Sequence, residues 1–214
     1  MISRCTGVVL AGGAGARLGG VPKGLLELGG RRIVDWTLDA LRGAADDLLL
    51  ITNDDAVRDA VAGIVVRGDV RRERGSLVGL HTALTFCNDA ALVVAWDMPF
   101  LSAELLWALR CEGERASAAV IPEGPDGVEP LCAYYPKSCL DVAGRQLDGG
   151  EMRLSSFVAA LLNSVIMRPE VVRRFGAPEK LFANLNTADE LARARLLIER
   201  GDDRLEAAIP SNIQ

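Results

Sequence analysis

The chain is poor in the side chains on which many site chemistries depend. Of its 214 residues one is histidine, His81, and only 5% are aromatic. The five cysteines, at 5, 87, 111, 132 and 139, are odd in number and scattered, with no Cys-x-x-Cys spacing. Neither a disulfide framework nor a zinc site is indicated, and the pattern fits a reducing cytosol. Positive charge is in the minority: 24 Lys+Arg against 29 Asp+Glu leave a net charge of −5 and a pI near 5.0. No Lys/Arg cluster is interleaved with aromatics, so no nucleic-acid partner is expected. The one basic run, Arg71-Arg72-Glu73-Arg74, reads as a solvated loop or as a face toward an anionic substrate. No run of about 18 apolar residues occurs, and Gly12-Gly13 interrupts the apolar start. The expectation is therefore a cytoplasmic protein with neither a signal peptide nor a membrane partner.

What the chain has instead is glycine, 22 residues of it, concentrated behind one apolar strand in Gly7-Val-Val-Leu-Ala-Gly-Gly-Ala-Gly-Ala-Arg-Leu-Gly-Gly-Val-Pro-Lys-Gly24. Glycines at 12, 13, 15, 19 and 20 leave backbone N–H groups free to turn toward an anion, and Arg17 and Lys23 add positive charge. This is the pattern of a polyphosphate cradle. It is not a Walker loop, because Lys23 is followed by Gly24 rather than by a hydroxyl residue. A dinucleotide fingerprint beginning at Gly13 fails where Leu18 occupies a small-residue position, and Pro22 blocks an early helix. The remaining reading is an ordinary glycine-rich turn.

Half of the residues are hydrophobic and a quarter charged, enough for one domain over residues 1–200 with a polar tail over 201–214. Cys5–Leu10, Leu48–Thr52, Ile64–Val66 and Leu92–Trp96 read as buried strands. Ile33, Trp36, Ala40 and Leu41 share one helical face that Gly43 ends, and Asp54–Ala62 and Val78–Phe86 are further helices. Ser102 caps another that runs to about Cys111. The order βαβαβαβα predicts a three-layer α/β/α fold on a mostly parallel, doubly wound Rossmann-like sheet. Later, Ala118–Ile121 and Leu131–Tyr135 read as strands around a turn at 122–127, either antiparallel or mixed. Thr187 and Glu190 form a capping box ahead of a helix over Ala188–Glu199.

Ligands of open parallel sheets lie beyond the carboxyl ends of the strands. The glycine loop, Thr52-Asn53, Gly68-Asp69 and Asp97-Met98-Pro99 should therefore meet at one edge. Asp97 follows five apolar residues and precedes Pro99 by two, so its carboxylate is expected at that edge, where magnesium would take one carboxylate together with phosphates and waters. A strand-end Asp that merely closes a turn is the alternative. Asn53 and Asp69 are candidates for nucleoside contacts or turn formers; a carboxylate at 69 suits the paired N–H donors of guanine better than the edge of cytosine. His81 is assigned to surface or packing, Asp54-Asp55 and Asp202-Asp203 to helix-start and tail charge, and Trp36, Trp96 and Trp107 to the core.

Together, Leu10-Ala-Gly-Gly-x-x-x-Arg17, Gly19-Gly-x-x-Lys23-Gly-Leu-Leu, Asp97-Met-Pro-Phe and Asn184-Leu-Asn-Thr-Ala-Asp-Glu-Leu191 resemble the molybdenum cofactor guanylyltransferase (MobA) family over nearly the whole chain. The resemblance implies the nucleotide-diphospho-sugar transferase type of fold and the transfer of GMP from Mg-GTP to the phosphate of molybdenum-molybdopterin, with release of pyrophosphate. It implies that Leu10, Ala11, Gly12, Gly13, Lys23, Asn53 and Asp69 bind GTP, and that Asp97 touches GTP and Mg²⁺. Arg17, Lys23 and Asp97 would be the catalytic set, with Asn184 and Asn186 completing the metal and phosphate site. It also implies transient contact with proteins that insert or deliver the cofactor. The chain departs from the family at Pro22, where Asp is usual, and at Ser76, where Gly-Pro-Leu-x-Gly is more common; the insert Ala14-Gly15-Ala16 carries no extra basic residue. The stretches 69–77 and Gly144-Arg145…Arg153 are candidates for the acceptor pocket. Cytidylyl transfer to the same cofactor, a sugar- or alcohol-phosphate nucleotidylyltransferase and an inactive nucleotide-binding regulator are the competing readings.

Overall fold

The computed structural model describes residues 3–12 and 17–199. Gly13, the Ala14–Ala16 insert, the side chain of Arg17 and the tail with Asp202-Asp203 lie outside the described residues.

Strand β1 (Cys5–Leu10) is followed by two small ribbons, β2 (Arg17–Leu18) with β3 (Val21–Pro22) and β4 (Glu27–Leu28) with β5 (Arg31–Arg32), separated by a 3₁₀ turn at Lys23–Leu25. Then come α1 (Ile33–Arg42), β6 (Asp47–Ile51), α2 (Asp55–Ala60), β7 (Val65–Arg67), α3 (Ser76–Phe86), β8 (Ala90–Ala95) and α4 (Ala103–Ala116). The later half holds β9 (Ala119–Gly124), β10 (Gly127–Val128), β11 (Cys132–Pro136), α5 (Cys139–Asp148), α6 (Leu154–Ala160) and β12 (Ser164–Met167). It ends with the short α7 (Pro169–Val172) and α8 (Pro178–Leu181), and with α9 (Ala188–Glu199).

The central sheet runs in the order β10-β9-β11-β8-β1-β6-β7, with β12 on β9. β1 pairs in parallel with β6 and β8, β6 with β7, and β12 with β9. β11 is antiparallel to both β8 and β9, and the sheet is mixed but mostly parallel, as expected. Each strand of the centre sends alternate residues to two cores because both faces are covered by helices. Val9, Leu92 and Val94 meet Leu38 and Leu41 of α1 and Leu105 and Leu109 of α4 on one face. Val8, Ala91 and Val93 meet Leu77, Leu80 and Leu84 of α3 and Ala143 of α5 on the other. A third, smaller cluster of Leu28, Ile33, Phe100, Leu185, Leu191 and Ala194 fastens the second ribbon and α9 to the loop after β8. That cluster brings the chain's late motif to the carboxyl edge of the sheet.

Several expectations require correction. The glycines at 19 and 20 are not part of an anion cradle: with φ of 59° and 84° they form the two-residue turn of the first ribbon, a backbone only glycine adopts at low cost. Helix α4 continues to Ala116 because Gly113, in its last turns, leaves room for the Tyr134 ring. Trp107 is 48% exposed with the Arg110 guanidinium over its ring, so it is not core, whereas Trp96 is 3% exposed. Arg71 is not simply solvated but pairs with Asp148 at 2.8 Å. Among the described residues no helix is long and apolar enough to cross a membrane, and all five cysteines are free.

Candidate active site

The first ribbon ends at Pro22, and the 3₁₀ turn that follows carries Lys23 inward until it is 6% exposed. Gly24 makes this possible: a Cβ there would lie 2.3 Å from Cε3 of Trp96, so only a bare backbone passes beneath the indole. A buried ammonium needs a partner, and Lys23 Nζ donates to Asn186 Oδ1 at 2.6 Å. Asn186 in turn is fixed by the start of α9. Glu190 accepts the N–H groups of Asn186 and Thr187 at 2.7 and 2.8 Å, and the Thr187 hydroxyl accepts the N–H of Glu190 at 3.2 Å. The capping box expected at 187 and 190 is present, and it also anchors the lysine's partner.

Asp97 lies two residues beyond β8, half-buried, and its carbonyl accepts the N–H of Leu185 at 3.1 Å. Burial lifts its carboxyl above the usual carboxylate range; the Lys23 ammonium works against that rise and Glu190 adds to it. Lys23, Asp97 and Glu190 thus occupy one electrostatic neighbourhood, a lysine between two carboxylates. A carboxylate penalised by desolvation gains from a divalent cation. The hard oxygen donors at this point are the Asp97 carboxylate and the amide oxygens of Asn184 and Asn186, a set that fits magnesium completed by phosphate and water oxygens. Among the described residues no three His, Cys, Asp or Glu side chains cluster into a protein-only metal cage.

Two strands away, Asn53 and Asp69 join after β6 and β7. The amide of Asn53 donates to Asp69 Oδ2 at 2.6 Å, and the backbone N–H of Asp69 donates to Asn53 Oδ1 at 2.9 Å. Thr82, fully buried on α3, supports this pair: its hydroxyl accepts the N–H of Val70 at 3.1 Å. The one sequence signal for Thr82 was a hydroxyl in an otherwise apolar stretch. Of the β1 residues, Leu10 and Ala11 are buried, and the Ala11 N–H is committed to Ile51 at 2.8 Å. Gly12 is exposed, and a Cβ there would meet nothing within 4 Å. It is the open position of the three. The two candidate acceptor stretches do meet, through Arg71–Asp148 and through Met152, whose methyl approaches Gly75. His81 packs against Gly144, and its Nδ1 is buried with no hydrogen-bond partner among the described residues.

Residues 7–165 match the family model described as the MobA-like NTP transferase domain. A protein of Desulfosudis oleivorans named molybdenum cofactor guanylyltransferase is 34% identical over 201 residues, 92% of this chain and 96% of its own length. The solved molybdopterin-guanine dinucleotide biosynthesis protein A of Archaeoglobus fulgidus is 31% identical with a TM-score of 0.77, covering 91% of this chain and 99% of that one. A CMP:2-keto-3-deoxy-manno-octonic acid synthetase complexed with CTP superimposes with a TM-score of 0.73 at 13% identity, over 92% of this chain and 99% of its own, and so shares the fold.

Proposed function

Because the chain belongs to the MobA-like NTP transferase family, we propose that it is a molybdenum cofactor guanylyltransferase that joins GMP from magnesium-bound GTP to the phosphate of molybdenum-molybdopterin and releases pyrophosphate. The observation that carries this reading is the convergence of Lys23 and Asp97 at one sheet edge, with the reciprocal Asn53–Asp69 pair at the ends of neighbouring strands.

A phosphate oxygen of the acceptor attacks the α-phosphorus of GTP in line, the bond to the β-phosphate oxygen breaks, and pyrophosphate departs. The nucleophile is already anionic, so no general base is needed, and catalysis reduces to alignment and charge neutralisation. Lys23 has three N–H donors; one is given to Asn186, and two remain for phosphate oxygens. Gly12 offers open backbone beside them. Asp97, with the amide oxygens of Asn184 and Asn186 near it, would hold the magnesium, which supplies neutralisation of the phosphate charge. Asp69, oriented by Asn53, keeps lone pairs for the ring N–H and amino donors of guanine. Arg17 stands in the same loop sequence as a second cation for the triphosphate.

Pyrophosphate release in the presence of molybdenum-molybdopterin and Mg²⁺ tests the reading with GTP, CTP and ATP in parallel. GTP is expected to exceed both others by about 10²-fold or more, since a site that hydrogen-bonds particular donors rejects analogues lacking them. Equal or better turnover of CTP would make it a cytidylyltransferase, and turnover of sugar phosphates without the pterin would remove the acceptor assignment.

A further inference from the structure

The sheet order divides the carboxyl edge into two halves around β1. Asn53 and Asp69 stand over β6 and β7 on one side, Lys23 and Asp97 at the centre, and β11 and β9 on the other side. A nucleotide that reaches from the first pair to the centre leaves the β11–β9 half for the second substrate. One side chain in that half has no role in the chemistry already described. Glu129 is half-buried ahead of β11, and among the described residues its carboxylate has neither a hydrogen bond nor an ion pair. Its backbone is fully engaged: the N–H donates to the Pro122 carbonyl at 2.9 Å and its own carbonyl accepts from Cys132 at 3.0 Å. The turn therefore does not need this side chain.

Its position relates directly to Asp97. β8 and β11 pair with Val94 opposite Cys132, and the ladder continues through the Ala95 N–H to the Leu131 carbonyl at 2.8 Å. The same register carried two residues further sets Glu129 opposite Asp97. The two also flank one segment: Phe182 and the Glu129 carboxylate both border Gly124, where a Cβ would come within 2.9 Å and 2.7 Å of them, while Leu185 is bonded to Asp97. Gly124 thus leaves the space in which this carboxylate sits.

We propose that Glu129 recognises the pterin of the acceptor, its carboxylate accepting the adjacent ring N–H and amino donors of the pterin's 2-amino-4-oxo edge. The inference rests on the guanylyltransferase reading. A pterin and a guanine carry the same pair of donors, and a carboxylate takes them as a pair. The site would then read its two substrates with two carboxylates, Asp69 on the nucleoside side and Glu129 on the acceptor side.

Burial, with Asp126 nearby, pushes Glu129 up to about 7. The other charged groups on the surrounding elements are Glu123, 3.7 Å from Arg168, Lys180 over the Phe100 ring, and Asp97; the Cys132 thiol is held neutral by burial. Only the ionised carboxylate accepts both donors, so pterin affinity should fall as pH drops through about 7.

The test uses the whole chain, two fluorescent probes and the variant Glu129→Gln. Pterin-6-carboxylate has the donor edge, and lumazine-6-carboxylate has oxygen in place of the 2-amino group. Wild type is expected to prefer the pterin probe about tenfold or more, the effect of a hydrogen bond to a charged group. E129Q should lose that preference and its pH dependence while keeping its affinity for lumazine and for GTP. A wild type that turns over molybdenum-molybdopterin but binds both probes alike, or an E129Q that binds the pterin probe as wild type does, overturns the inference and leaves the guanylyl reading standing. A parallel loss of GTP affinity in E129Q would make the residue structural and overturns it as well. A wild type that neither binds the pterin probe nor turns over molybdenum-molybdopterin removes both.

Discussion

Lys23 and Asp97 are each costly to the fold and useful to the chemistry. Lys23 gives up water for one amide oxygen, and Asp97 is held where burial disfavours its charge. For Asp97 the sign is direct. Its pKa is higher in the folded chain than in the unfolded one, so the folded state binds more protons and stability is lost as pH rises past the ordinary carboxylate range. Asp97→Asn should therefore unfold at the same or a higher temperature than wild type at pH 7, with the difference vanishing in acid. Its turnover should fall roughly 10²-fold or more, the size of losing a preorganised electrostatic group. Lys23→Met should raise the KM for GTP by about 10- to 100-fold, as expected for hydrogen bonds to a charged group, measured by steady-state kinetics. Asp97 was legible in the sequence because an apolar run ends on Asp-Met-Pro. The partner of Lys23 was not, since Asn186 is 163 residues away and only the folded chain joins them.

At the scale of elements, the site depends on how Lys23 and Asn186 are delivered. Gly24→Ala would drive a methyl into the Trp96 ring and should cost about 1–3 kcal/mol, the usual range for overpacking. Chemical denaturation would read that loss, and the KM for GTP should rise with it because Lys23 is the adjacent residue. Thr187→Ala removes one arm of the capping box and should cost about 1 kcal/mol. It should also weaken GTP binding without touching any ligand directly. The capping box and the buried strands β1, β6 and β8 were legible because they have a fixed spacing or a continuous apolar run. The ribbons over 17–32 were not, because strands of two residues have no period to detect. Their glycines instead suggested an anion loop, when the pairs at 19–20 and 29–30 serve turns with positive φ. Helices α5 to α8 went unread because they lean on α3, β9 and one another more than on a wide apolar stripe of their own.

For the molecule as a whole, alternation of strands and helices was enough to expect a doubly wound sheet, because parallel strands need crossovers and crossovers are helices. It could not say that β11 would insert antiparallel between β8 and β9. That insertion divides the carboxyl edge into a nucleoside half and an acceptor half and brings Glu129 into register with Asp97. A chain with net charge −5 must still gather a triphosphate and a phosphorylated acceptor, so the few cations at this edge and a divalent metal have to supply the attraction. The most direct test is a crystal structure of the protein with GTP and Mn²⁺, the metal located by its anomalous signal. The expected map has manganese on the Asp97 carboxylate, the triphosphate between it and Lys23, and guanine against Asn53 and Asp69. Manganese bound away from Asp97, or a triphosphate that leaves Lys23 on Asn186 alone, would contradict it.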